Sequence, residues 1–152
     1  MKPPADEDER TTDVGMFNFA ASYRAAAAAL DELKLKSTHP HSPTSWLYCH
    51  AIELYLKSHL RAVGHSVSDL RKQYGHNLTK LGGGYEATGG ILDDEDKEVI
   101  ELLAESDQPM RAKYIVTGAA FSQAGIPALA RTANSLHESV RMYLKGKGRP
   151  VR

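Results

Sequence analysis

The chain has 152 residues, 41% of them hydrophobic and 25% charged, with a mean hydropathy of −0.42. That is the composition of one globular domain, long enough to bury about two-thirds of the surface its unfolded chain exposes. Nineteen basic residues balance nineteen acidic ones, which argues against a dedicated DNA coater and leaves any nucleic-acid case to local patches. A single cysteine, Cys49, excludes an intrachain disulfide and a cysteine-built zinc cluster. The N-terminus has no apolar leader and no run reaches the roughly 18 apolar residues of a membrane span, so the sequence predicts a cytoplasmic, unanchored protein.

Residues 1–14 hold the acidic block Asp6 to Glu9 and two prolines, and they predict a disordered acidic tail. Residues 15–145 are expected to form the folded domain, with 146–152 as a basic tail. The first long helix is predicted over 16–36, a stretch free of glycine and proline whose run Ala25 to Ala29 allows close packing. The sequence His39-Pro40-His41-Ser42-Pro43 breaks it, and Ser42 or Thr44 is available to cap the next helix.

Residues 44–63, ended by Gly64, read as a second helix that is apolar nearly all round and therefore central. Trp46, Leu47, Ile52 and Leu54 are its expected core residues, and Cys49 reads as a small buried hydrophobe. A short helical turn is predicted over 67–73. A further helix starts between His76 and Leu81, and the glycines at 82–84 are expected to disrupt it. Asp93 to Ser106 is the next helix, its leading acids suited to the positive end of the helix dipole, and Pro109 stops it. Residues 126–145 make the last long helix, with Pro127 in its first turn. Only Tyr114 to Thr117 has strand-like content, too little for a sheet. The fold class is all-α.

The string "CHAIELYLKSHLRAVG", followed closely by "LRKQYGHNLTKL", resembles the HEPN superfamily (higher eukaryotes and prokaryotes nucleotide-binding domain). The matching positions are Glu53, Lys57, Gly75, His76 and Leu78, and the later "MRAKYIVTG" resembles a segment of such domains through Arg111 and Tyr114. The resemblance covers roughly residues 44–118. It implies an antiparallel four-helix bundle with an extra short helix, often paired as a two-fold homodimer. The superfamily holds ribonuclease toxins, nucleotide-binding modules and inactive scaffolds.

Glu53 lies in an otherwise apolar helix, where a carboxylate needs a partner, and Lys57 follows at the i,i+4 spacing that lets the two meet. A structural ion pair, a bond to the backbone near His76 and a catalytic carboxylate are all open readings. His50 and Glu53 are three apart, but two ligands do not make a metal site, and no second His-Glu unit completes a di-iron bundle. His39 and His41 fall in the proline-rich loop. The glycines at 82–84 and 89–90 lack the lysine-serine or lysine-threonine pair of a phosphate loop. No metal and no cofactor are expected.

Ribonucleases of this superfamily use an arginine and a histidine separated by a few residues. Attack of a ribose 2′-OH on the next phosphate needs proton transfer, which imidazole performs near neutral pH, while a guanidinium holds the charge on the phosphate oxygens. Arg71 and His76 are the candidates here. Lys72 stands where active members carry a smaller polar residue, and five steps of an unbroken helix would leave the pair about 140° apart. Lys57, Arg61, Arg71, Lys72 and Lys80 also give the stretch Leu54 to Leu81 a local basic excess able to meet a phosphate backbone.

Two readings follow. One is a non-catalytic HEPN-like module binding a nucleotide, RNA or a protein partner such as an antitoxin or nucleotidyltransferase, through Lys57, Arg61, Lys72, Tyr74, Arg111 and Tyr114, with Glu53 a structural buried acid. The other is a metal-independent endoribonuclease of the toxin or phage-defence type, with Arg71 and His76 catalytic.

Overall fold

A computed structural model describes residues 4–33, 35–105 and 125–152, and among these every regular element is helical. The all-α reading holds. Arg111, Tyr114 and the stretch Tyr114 to Thr117 lie outside the described residues.

The acidic N-terminal segment departs from its expected disorder: Pro4–Arg10 is helix α1. Helix α2 spans Asp13–Glu32. The hydroxyl of Thr12 caps it by accepting from the Gly15 amide at 2.9 Å. It ends at Glu32, short of residue 36, where Leu33 turns extended and its amide bonds Leu30 O. Helix α3, Ser42–Val63, starts with Pro43 in its first turn and stops at Gly64, whose φ of 131° suits no other residue type.

A capping box between Ser66 and Asp69 opens the short α4, Val67–Asp69. It runs into a π-helical turn, Leu70–Tyr74, closed by the Gly75 amide on Leu70 O at 3.0 Å. Gly75 then reverses the chain with φ 56° and ψ −123°, the bend that separates His76 from the preceding turn.

Helix α5, Leu78–Ala87, runs straight through the three glycines expected to break it. Close packing explains one of them: a Cβ on Gly84 would come 2.6 Å from the Tyr74 hydroxyl, whereas one on Gly82 would make ordinary contact with Ile100 Cγ2 at 3.5 Å and one on Gly83 would meet nothing within 4 Å. At Gly84 the roughly 1 kcal/mol propensity cost of a helical glycine is offset by a contact that a side chain would prevent. Helix α6 spans Asp94–Glu105, with the Asp93 carboxylate accepting from the Asp96 amide at 2.7 Å. Helix α7 spans Ile126–Gly146.

Helix α3 is central and packs against α2, α5 and α7. Its deepest residues are Tyr48, Cys49, Ile52, Tyr55, Leu56 and Leu60. Trp46, Leu47 and Leu54 are only half-buried, a correction to the core predicted from sequence, where Ile52 alone of those four was placed rightly. A helix apolar nearly all round does not reveal which flank its neighbours cover most deeply. From α7, Leu129, Ala133, Leu136, Val140 and Leu144 line one stripe at helical spacing, all buried. Burial pushes the Cys49 thiol up to about 12, so it remains an inert hydrophobe.

Candidate functional site

The α3 residues His50, Glu53 and Lys57 recur at i, i+3 and i+7 and so share a face. Glu53 is 9% exposed, and its carboxylate is held from two sides. Lys57 Nζ donates to Oε2 at 3.1 Å. His76 Nδ1, arriving beyond the Gly75 bend, lies 3.0 Å from Oε2 and 3.2 Å from Oε1. Because a carboxylate only accepts, His76 carries its proton on Nδ1. The His76 side chain is 86% exposed, so a fixed imidazole faces solvent on a buried acid. His50 stacks on Trp46 (ring centroids 5.2 Å apart, 14° between planes), and Tyr23 meets it edge-on at 4.6 Å. Burial lowers the His50 pKa, with Glu53 opposing the shift.

Arg71 is turned to a different partner. Its guanidinium pairs with Glu7 of α1, while His76 pairs with Glu53. Arg61 is likewise engaged: Nε donates to Thr11 O, Nη1 to His65 O and Nη2 to Asp8 O, each at 3.1 Å. Asp8 also accepts from the Val67 amide at 2.8 Å. The acids of α1 thus cover part of the basic stretch that the sequence presents as an open patch. Lys72 and Lys80 are exposed. Tyr74 packs edge-on against His65 and under Gly84, a packing role beside the binding role expected of it. At the other end of the chain Arg149 Nε bonds Asp13 at 2.9 Å and Lys147 Nζ bonds Ala62 O at 3.1 Å.

Sequence reasoning missed a second polar cluster, which ties three helices together. The fully buried Tyr55 hydroxyl accepts from Arg24 Nε at 3.2 Å and lies 2.7 Å from His137 Nδ1, while Arg24 Nη1 donates to Asn134 Oδ1 at 2.8 Å. Burial raises the Tyr55 pKa to about 12 and, with Arg24 adding to it, lowers that of His137. The phenol therefore donates to a neutral imidazole, and Phe17 stacks on that ring at 5.1 Å. No local motif announces this cluster, since its bonded partners are up to 110 residues apart.

Among the described residues no group of three or more His, Cys, Asp or Glu side chains could hold a metal ion, and no helix is long and apolar enough to cross a membrane. No protein-family model matches the chain, and neither a curated protein nor a solved structure does.

Proposed function

We propose that the chain is a non-catalytic HEPN-like module, an antiparallel four-helix bundle with an extra short helix, which works in the cytoplasm as a homodimer and binds a nucleotide, RNA or a protein partner. The observation that carries this reading is the arrangement at Glu53: one buried carboxylate anchors an exposed imidazole and an ammonium side by side. Lys57 then offers phosphate an ammonium donor, and the exposed Nε2 of His76 adds a second when the ring is protonated. Arg71, held by Glu7, stands outside that arrangement, and this favours binding over cutting.

The homodimer has support in the exposed face of α2. Phe19, Ser22, Ala26 and Ala29, with Leu33 just past the helix end, follow the three-four spacing of a coiled-coil seam, and all are exposed, Phe19 by 63% and Leu33 by 60%.

The ribonuclease reading draws on one observation of its own. An exposed imidazole whose other nitrogen is fixed by a carboxylate is how a general base is oriented. Single-stranded RNA incubated with chelator separates the two. The expected result is binding without cleavage, weakened by Lys57→Ala and by His76→Ala. Cleavage leaving a terminal cyclic phosphate, lost in both Arg71→Ala and His76→Ala and absent with DNA, would establish the enzyme instead.

A further inference from the structure

On another face, where α3, α5 and α7 meet, lies a cavity of about 470 Å³, within the range of small-molecule sites. None of the Glu53, Lys57 and His76 group lines it. Its walls are rings. Tyr85 meets His59 edge-on at 4.6 Å, and Tyr143 tilts over His59 at 4.1 Å. The turn after α5 shapes one side: Gly89 has φ 99°, and a Cβ on Gly90 would collide with the Tyr85 ring. Two large apolar side chains stand exposed at the mouth, Ile91 by 78% and Met142 by 61%.

His59 is 1% exposed and incompletely bonded. Its Nε2 lies 3.0 Å from Thr88 Oγ1, and that hydroxyl spends its own hydrogen on Gly84 O at 2.7 Å. Thr88 therefore accepts, His59 carries its proton on Nε2, and Nδ1 is a bare acceptor. It is a buried side-chain atom without a hydrogen-bond partner. Burial pushes the His59 pKa down to about 4, which keeps the ring neutral. A buried acceptor left unmatched is costly, and a donor brought to it recovers that cost.

We propose that this cavity is a binding site for a small, neutral, planar ring compound bearing an N–H or O–H group, which shifts the rings that close over Nδ1 of His59 and donates to it. Charge selects the class. Among the described lining residues Glu138 alone is charged, and it is paired with Arg141 at 2.8 Å, so nothing in the wall answers a phosphate or carboxylate. Met142 is an unbranched thioether at the mouth that adjusts to a bound ring.

Phenol and anisole, alike in ring and differing in the donor, test this on the full chain, read by calorimetry and by the isotope-labelled Met142 methyl signal. Phenol is expected to bind about tenfold more tightly than anisole, the worth of one hydrogen bond, and to shift the Met142 signal. In His59→Phe the two affinities should converge. Ile91→Trp, a change at an exposed position that leaves the core intact, should obstruct the mouth and weaken both. Equal affinities in the unaltered protein, or no movement of the Met142 signal at saturating phenol, would overturn the proposal.

Discussion

Glu53 shows how one residue can organise a site without being its reactive group. Its carboxylate sits in a mostly apolar helix and holds both Lys57 and His76. Replacing it with alanine leaves the Lys57 ammonium without its counter-ion and releases the His76 ring. We expect a loss of about 1–3 kcal/mol in stability, read as a lower melting temperature. An unchanged melting temperature with only an activity lost would make Glu53 a site residue alone. His59 makes a different prediction. Its folded pKa of about 4 lies below the ordinary 6.5, so the unfolded chain binds the proton first as pH falls. The contribution is complete above about pH 6.5 and is lost between there and pH 4, a change of up to about 3 kcal/mol. His50 and His137, also lowered, push in the same direction. The difference between the unaltered protein and His59→Phe in denaturant titrations from neutral to acid pH isolates the His59 share. The stability of His59→Phe relative to the unaltered protein should rise as pH falls, and a constant difference would contradict this account.

The elements were the most legible level, and their failures have physical causes. Proline and glycine punctuate the chain at His39 to Pro43, Gly64 and Pro127, and helices begin or end there because those residues restrict or free the backbone whatever the tertiary context. The glycines of α5 misled because propensity says nothing of the packing around a helix, such as Tyr74 pressing on Gly84. The face of α3 misled for a related reason: Leu54 and Leu56 look equivalent in sequence, yet only Leu56 is fully buried. Leu56→Ala should therefore cost about 2–5 kcal/mol, and Leu54→Ala distinctly less. Equal losses in chemical denaturation would contradict this packing. The candidate site was half legible. The spacing of Glu53 and Lys57 told of their contact, but the bond from His76 depends on a π-helical turn and the Gly75 reversal. Nor does a count of local charge foresee α1 folding its acids onto Arg61 and Arg71. Removing residues 1–10 frees the Arg71 guanidinium and takes from Arg61 its bond to Asp8, leaving those to Thr11 and His65. RNA affinity should then rise and fall more steeply with salt, because more phosphates are neutralised on binding. An unchanged salt slope would mean that neither arginine meets the ligand.

For the whole molecule, the open question is what covers the outer face of α2. The run Ala25 to Ala29 allows close packing against a neighbour, and of the five only Ala27 is buried within the chain. The others line the outside, bounded by Phe19 and Leu33. Ala26 is seven residues from each end of that seam, so the pattern is the same read in either direction: large, small, large. A two-fold axis through Ala26 would run two copies of α2 antiparallel and set Phe19 against Leu33 of the partner subunit. Small residues at the centre let helix axes approach to about 8 Å, and an isologous interface needs only this one self-matching surface. Two bundles joined this way would double the number of Lys57 and His76 pairs offered to one polyanion. Sedimentation at tens of micromolar should give twice the 16.7 kDa chain mass. Ala26→Glu should return it to monomer with its helical content intact, because that position is exposed in the single chain. A dimer indifferent to Ala26→Glu would place the interface elsewhere. A monomer from the outset would leave Phe19 and Leu33 to face a different partner.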